Sequence, residues 1–98
     1  MNMQAQSRCL SAKIWGINHE EQVLLQRITI GDLFEHYSGK HYQVVGIFRH
    51  SEELKLYVAY TGLYEDTSGY GVQWIRPLAM FLEEVAINNV QQPRFTKL

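Results

Sequence analysis

Residues 54–60 read LKLYVAY, and this stretch decides the predicted fold. Its apolar side chains occupy every second position: Leu54, Leu56, Val58 and Tyr60. An alternation with a period of two is typical of a β-strand that buries one of its faces. The polar run 50–53, HSEE, separates this stretch from the apolar run 42–48, YQVVGIF. We therefore predict two strands with a polar break between them.

The earlier run, 42–48, is apolar on both faces of its predicted strand, which favours a central position in the sheet. Successive strand side chains point to opposite faces. One face is therefore predicted to hold Tyr42, Val44, Gly46 and Phe48, and the other to hold Val45 and Ile47.

Short strands and tight turns are predicted on both sides of this pair. Residues 33–37 alternate before a Ser-Gly turn, and residues 72–76 alternate before Pro77, which cannot donate to a ladder. Pro77 can instead open a helical turn at 78–81. The two asparagines at 88–89 suit a tight hairpin, because asparagine tolerates positive φ. Five or six short strands in about 65 residues predict a small antiparallel barrel or sandwich.

The N-terminal part of the chain is predicted to be different. Residues 1–13 are polar and without pattern, so we predict a flexible tail there. Residues 14–28 are predicted to form an extension with a short helix over about 19–27. Asn18 is the predicted N-cap, and Glu21, three residues later, completes a variant of the capping box. The inward face of the helix is predicted to hold three apolar residues: Val23, Leu24 and Ile28.

Composition limits the function classes. The chain has 98 residues, 46% of them apolar, and a formal net charge of −1, which argues mildly against general nucleic-acid binding. A single cysteine, Cys9, excludes an internal disulfide and fits a reducing, cytoplasmic location. The first ten residues lack the apolar run of a secretion signal, and no run of about 18 apolar residues predicts a membrane span.

Blocks of residues between 29 and 95 resemble a family of small bacterial proteins grouped as domain of unknown function 1653. The matching blocks occur in order along the chain: Gly31-Asp32, His36-Tyr37, Gly39-Lys40, Val44-Val45-Gly46-Ile47, Arg49-His50-Ser51-Glu52, Leu63-Tyr64, Trp74-Ile75-Arg76-Pro77-Leu78, Met80-Phe81 and Pro93-Arg94-Phe95. The resemblance implies a mainly β domain over 29–98, a small antiparallel SH3-like barrel of five to six strands behind the short helix. The name of the family implies no activity for this chain. Glu53, the longer loop 65–73 and the residues before 29 depart from the family pattern.

The histidines do not predict a metal site. His36, His41 and His50, with Glu35 or Glu52, are residue types that bind zinc. Their spacing matches no standard ligand pattern, so surface or hydrogen-bonded histidines are the favoured interpretation. We predict neither a metal nor a cofactor.

The run 49–52, Arg-His-Ser-Glu, holds the groups used in nucleophilic catalysis, a hydroxyl, an imidazole and a carboxylate. Adjacent strand residues face opposite ways, so His50 and Ser51 do not form a ready base–nucleophile pair. No Gly-x-Ser-x-Gly elbow supports Ser51. The favoured interpretation is a turn in which Ser51 and Glu52 bond backbone N–H groups, and no catalytic residue is assigned.

A ligand site is predicted around Trp74 and Arg76, which share one strand face. With Tyr60, Tyr64 or His50 nearby, an aromatic wall can stack a planar ring, and a guanidinium can bind phosphate or carboxylate at two points. The full set of predicted ligand-binding residues is His36, His50, Glu52, Tyr64, Trp74 and Arg76. The structural alternative is that Trp74 fills the core and that Arg76 pairs with Glu83 or Glu84 or caps carbonyls of the next turn.

Three functions follow from these observations. The leading hypothesis is a non-catalytic binding module for a nucleotide, a short nucleic acid or a partner peptide, although the net charge does not support nucleic acid. The second is a small hydrolase of a nucleotide-like substrate, with His50 as base and Glu52 or Glu35 as its partner. The third is a structural protein that forms a homo-oligomer through the apolar patch at Trp15 and Ile17.

Overall fold

The computed structural model describes residues 16–67 and 69–98. The predicted tail, 1–13, and residues 14–15 of the predicted extension lie outside the described residues. The elements, in chain order, are α1 (His19–Leu25), β1 (Leu33–His36), β2 (His41–Arg49), β3 (Leu56–Gly62), β4 (Glu65–Asp66), β5 (Gly69–Tyr70), β6 (Gln73–Pro77), α2 (Leu78–Phe81), β7 (Glu84–Ile87), β8 (Val90–Pro93) and β9 (Phe95–Lys97).

The fold is mainly β and antiparallel, as predicted. Five strands form one sheet in the order β6-β3-β2-β1-β9, and β4–β5 and β7–β8 form two small hairpins. The β4–β5 hairpin lies inside the predicted long loop 65–73. In the part of the chain that the structure describes, the edge strands β6 and β9 are not bonded to each other. Closure into an SH3-like barrel therefore stays a prediction.

The core lies on one face of the five-stranded sheet, which we call the inner face. β3 defines it, since Leu56, Val58 and Tyr60 are all buried. Helix α2 packs on this face and buries Phe81, whose ring stacks on Phe95 with centroids 4.1 Å apart. Burial of each such side chain contributes about 1.5–3 kcal/mol, so α2 and β9 hold the inner face together.

The capping box predicted for α1 is confirmed. The backbone N–H of Glu21 donates to Asn18 Oδ1 at 2.8 Å, and the N–H of Asn18 donates to Glu21 Oε1 at 3.3 Å. The helix ends at Leu25, and Leu24 and Leu25 pack against the core. The prediction that Val23 faces inward is wrong, because its side chain is 46% exposed.

The predicted asparagine hairpin is also confirmed. Asn88 and Asn89 have φ of 53° and 64°, and they join β7 to β8 with Ile87 opposite Val90. Positive φ at both central residues is the requirement of a type I′ turn, which matches the twist of the flanking strands. The turn chemistry of two residues therefore sets the register of this hairpin.

Strand β2 contains a β-bulge at Val45. Val44 lies opposite Tyr60, whereas Gly46 lies opposite Ala59, the next residue along β3. Val45 is thus one extra residue in the ladder, and its side chain is exposed. A bulge of this kind shifts the pairing by one position and bends the strand locally.

The bulge exchanges the two faces of β2, because a shift of one residue moves every later side chain to the opposite face. Beyond it, Ile47 and Arg49 lie opposite buried residues of β3. Gly46 and Phe48 lie on the outer face, where a Cβ added to Gly46 would overlap the Phe48 ring. The prediction that Gly46 and Phe48 share a face with Tyr42 is therefore wrong.

Candidate functional site

The predicted site residues Trp74 and Arg76 lie on the inner face of the edge strand β6. Trp74 is opposite Tyr60, and Arg76 is opposite Val58. Tyr60 and Val58 are inner-face residues, so the strand register confirms that Trp74 and Arg76 share this face. The pairing places both side chains beside the aromatic residues of β2 and β3.

Arg76 is half-buried and bonded to a tyrosine. Its Nε donates to the Tyr60 hydroxyl at 3.2 Å. Among residues 16–67 and 69–98, no carboxylate lies within ion-pairing distance of its guanidinium. A half-buried guanidinium without a counter-ion favours an anionic ligand, since buried charges are normally paired.

Two tyrosine hydroxyls meet beside this arginine. Tyr42 and Tyr64 share a hydrogen bond of 3.0 Å between their hydroxyl oxygens. Gly62 makes room for the Tyr64 ring, because a Cβ at that position would lie 2.6 Å from it. The Lys40 ammonium sits 4.5 Å from the Tyr64 ring centroid, a cation–π contact.

Burial raises the pKa of Tyr42 well above its usual range, and the hydrogen bond to Tyr64 raises it further. Both effects favour the neutral phenol. The Tyr42 hydroxyl therefore keeps its proton at neutral pH and can serve as a hydrogen-bond donor.

His36 is held in one tautomer by the β1–β2 turn. The backbone N–H of Ser38 donates to His36 Nδ1 at 3.1 Å. Burial lowers the pKa of His36, and the nearby charges of Arg76 and Arg94 lower it further. A neutral ring that accepts at Nδ1 carries its proton on Nε2, so His36 presents another donor.

We call these five side chains the donor cluster: His36, Tyr42, Tyr60, Tyr64 and Arg76. Together they carry an imidazole N–H, three phenol hydroxyls and a guanidinium. Such a set suits a phosphate or carboxylate, whose oxygens only accept.

Trp74 borders the donor cluster and is 45% exposed. The alternative in which Trp74 fills the core therefore does not describe the structure. Among the described residues, Arg76 pairs with neither Glu83 nor Glu84, and Glu83 instead lies 2.6 Å from Arg94. Trp74 offers a partly exposed indole on the same strand face as the Arg76 guanidinium.

The structure does not bring His50 and Glu52 to this site. Both follow the end of β2 where Arg49 pairs with Leu56, whereas the Tyr42–Gly62 pair marks the other end of the same ladder. His50 Nδ1 accepts the backbone N–H groups of Glu52 at 3.2 Å and of Glu53 at 3.0 Å.

The predicted turn at 50–53 is therefore closed by a different group. The imidazole of His50 accepts the backbone N–H bonds, whereas Ser51 donates its hydroxyl to the Glu52 carboxylate at 2.8 Å. Glu35, the other partner considered for His50, lies 4.0 Å from His41 instead.

In residues 16–67 and 69–98, no three or more histidine, cysteine or acidic side chains are grouped closely enough to hold a metal. Within the same residues, no helix has the length and apolar character needed to cross a membrane.

Sequence reasoning missed Tyr42 and Lys40 as site residues, and it named Tyr60 without the partner of its hydroxyl. Alternation predicts the inner face for both tyrosines, which reads as a core role. The only sequence signal for a further role is the hydroxyl itself, because a buried tyrosine needs a hydrogen-bond partner for it. Such a partner cannot be named before the strands are paired, since Arg76 is 16 residues from Tyr60.

A groove lies elsewhere in the described structure, between α1 and α2. Its volume is about 290 Å³, and its walls include Leu24, Leu56, Leu78 and Met80. Specific sites combine an apolar wall with a few convergent polar groups. The donor cluster has such groups and is therefore the better candidate.

Comparison with known proteins identifies relatives of this chain. The family model described as protein of unknown function (DUF1653) matches residues 32–97. A crystal structure of a DUF1653 protein from Bordetella bronchiseptica is 32% identical and superimposes with a TM-score of 0.63. That match covers 74% of this chain and 90% of the Bordetella chain. No curated protein matches.

Proposed function

The chain belongs to the DUF1653 family of proteins of unknown function, and we propose that it is a non-catalytic binding module for an anionic ligand with a planar ring, such as a nucleotide. The ligand would bind at the donor cluster with its ring against Trp74. The observation that carries this proposal is the Arg76 guanidinium, half-buried and bonded to Tyr60, with no carboxylate partner among the described residues.

The anionic part of the ligand is inferred from the remaining donors of Arg76. Its Nε is used by Tyr60, which fixes the plane of the guanidinium. A guanidinium presents five N–H donors in a rigid fork, so the two terminal nitrogens suit a phosphate or carboxylate. Hydrogen bonds to charged groups contribute about 1.5–3 kcal/mol each.

The planar part is inferred from Trp74. Its partly exposed indole lies two residues from Arg76 on the same strand face. Stacking of a base on an aromatic side chain is worth about 1–3 kcal/mol and tolerates any base. A nucleotide satisfies both features with one molecule.

The described histidines support binding rather than acid–base catalysis. His36 Nδ1 accepts the Ser38 amide, and His50 Nδ1 accepts two turn amides. A general base needs an acceptor nitrogen within reach of the proton it removes. Both rings already use that nitrogen to close turns.

Two finer predictions accompany this proposal. Closure of the five-stranded sheet into an SH3-like barrel would surround the donor cluster with strands. A cytoplasmic location would supply free nucleotides and would suit a chain whose single cysteine has no partner for an internal disulfide.

Isothermal titration calorimetry tests the proposal directly. We expect AMP to bind, and adenosine or ribose 5-phosphate to bind more weakly because each lacks one half of the ligand. Arg76→Gln should weaken AMP binding by roughly 10-fold or more, since it removes charge-assisted hydrogen bonds. Trp74→Ala should weaken AMP and adenosine but leave ribose 5-phosphate unchanged.

Lys55→Gln is the matched control. It removes the same charge from an exposed residue at the other end of β3 and should leave AMP affinity unchanged. Equal affinities for the Arg76→Gln and Lys55→Gln variants, or no AMP binding at millimolar concentration, would refute the proposal.

A further inference from the structure

Within residues 16–67 and 69–98, the edge strand β6 has backbone groups that point away from its neighbour β3 and are not bonded. Gly62 N–H donates to Val72 O at 2.9 Å, which sets the phase of the β3–β6 ladder. Bonded pairs alternate with non-bonded pairs in an antiparallel ladder. Trp74 and Arg76 are therefore bonded to β3, whereas the N–H and C=O of Gln73 and Ile75 point away from it.

This edge lacks the usual protection against pairing. Ile75 is 67% exposed on the outer face, and Trp74 is exposed on the inner face. Edge strands are commonly guarded by lysine, by a bulge or by proline. Residues 73–77 contain no lysine, and their pairing with β3 shows no bulge. Pro77 stands at the very end of the strand.

We propose that a second copy of this chain pairs with β6, antiparallel and centred on Ile75. Each Ile75 N–H would donate to the Ile75 C=O of the other copy, and the two five-stranded sheets would form one continuous sheet. A two-fold axis would pass between the two Ile75 residues, as in an isologous dimer.

The boundaries of β6 fix this register. Gly71 has φ of 80°, so the chain turns before the strand, and α2 starts at Leu78 directly after it. Only residues 73–77 can pair, and their centre is Ile75, a residue whose bonding groups point outward. Centring on Ile75 pairs all five residues of both strands, whereas centring on Trp74 or Arg76 would pair only three of them. Centring on Arg76 would also place two arginines opposite each other.

The sequence QWIRP is complementary to itself in this register. Ile75 meets Ile75 on the outer face, and Trp74 of one copy lies opposite Arg76 of the other on the inner face. Aromatic and aliphatic cross-strand pairs stabilise a sheet, and an arginine over an indole adds a cation–π contact. No like charges face each other, so a second copy fits better than an arbitrary peptide.

Sedimentation velocity without ligand tests the inference, so its outcome is independent of the proposed nucleotide site. A contact this short belongs to the weak, transient class of interfaces. We expect the average mass to rise from one chain to two chains between about 10 and 500 µM. A single chain at all concentrations would overturn the proposal, and so would growth beyond two chains.

Two substitutions of Ile75, the residue at the two-fold axis, test whether the dimer forms through β6. Ile75→Pro removes an N–H that points away from β3, so the internal ladder stays intact and the dimer should be lost. Ile75→Lys keeps the N–H and places two like charges together, so it should also give a single chain. Val90→Lys changes another exposed strand residue and should still dimerise. Dimers that persist in both Ile75 variants would overturn the proposal.

Amide hydrogen exchange identifies the paired edge. The Ile75 amide should gain protection as the protein concentration rises. Lys97 provides the comparison, since its N–H points outward from the other edge strand, as the bond from Leu98 N–H to Leu33 O shows. Concentration-dependent protection of Lys97 in place of Ile75 would overturn the proposal and indicate pairing through β9.

Discussion

The two ends of the β2–β3 ladder both contain arginine, histidine and tyrosine side chains, but these side chains have different partners at each end. One end carries the donor cluster. The other, which we call the closed end, carries Arg49, His50, Glu53 and Tyr57. There Tyr57 donates its hydroxyl to Glu53 at 2.6 Å, and that hydrogen bond lowers the pKa of Glu53. Arg49 donates to the Leu54 carbonyl and lies 3.6 Å from Glu21 of α1.

The difference between the ends is the supply of carboxylates. At the closed end Arg49 has an acidic side chain, Glu21, within ion-pairing distance. Arg76 of the donor cluster has a tyrosine hydroxyl instead. The residue type alone therefore does not predict the role of an arginine in this protein. An arginine with a carboxylate within ion-pairing distance stabilises the fold, whereas an arginine without one is available to a ligand.

The largest expected effect separates the two arginines by stability. Arg49→Met should lower the free energy of unfolding by about 2–3 kcal/mol, because it removes a charged hydrogen bond and leaves Glu21 without its cation. Arg76→Met should cost less than about 1 kcal/mol, since only a bond to a tyrosine hydroxyl is lost. Urea unfolding of the two variants measures both values.

Glu21→Gln combined with Arg49→Met sharpens this comparison in a double-mutant cycle. A coupling of about 0.5 kcal/mol or more would assign part of the Arg49 effect to the ion pair. Equal losses of stability for Arg49→Met and Arg76→Met would break the distinction between the two ends.

A smaller effect is expected at His50, which closes a turn. His50→Ala should lower the free energy of unfolding by about 1 kcal/mol, because two turn amides lose their acceptor. His50→Asn keeps a side-chain acceptor and should recover part of that loss. Thermal unfolding of both variants provides the measurement. AMP binding should be unchanged in both, and weaker binding would place His50 in the ligand site after all.

The smallest effect is a pH dependence that arises at the donor cluster. The pKa of His36 is lower in the folded protein than its ordinary value of 6.5, chiefly through burial. The unfolded chain therefore binds the proton more readily. Well above pH 6.5, His36 should not make the free energy of unfolding depend on pH. As the pH falls below 6.5, His36 should lower the free energy of unfolding.

His36→Asn should flatten this dependence between pH 7 and pH 5, as thermal unfolding at a series of pH values can show. His19→Asn is the control, because His19 is an exposed residue of α1. An unchanged pH profile in the His36 variant would mean that His36 titrates alike in the folded and unfolded chain.

Local chemistry predicted the parts of the fold that depend on a few neighbouring residues. The capping box needs only Asn18 and Glu21, and the type I′ turn needs only Asn88 and Asn89. These features are decided within three or four residues, where steric and hydrogen-bonding rules act directly.

Features that depend on distant residues could not be predicted in the same way. The bulge at Val45 leaves no trace in hydrophobicity, because residues 42–48 are apolar on both faces. The site prediction joined His50 to Trp74 because both are polar or aromatic and flank turns, but only strand pairing shows that they lie apart. The neighbourhood of Trp74 and Arg76 was foreseeable from their spacing, whereas the hydrogen bond from Arg76 to Tyr60 required the register.

The extra residue in β2 makes the length of this strand as informative as its composition. Deleting Val45 would remove the bulge and leave a regular ladder, in which Ile47 and Arg49 would still lie opposite Val58 and Leu56. The contact between Arg49 and Glu21 of α1 should therefore survive the deletion. Strand β2 should thus tolerate the loss of one residue at this position, although the same deletion in a strand without a bulge would exchange its faces.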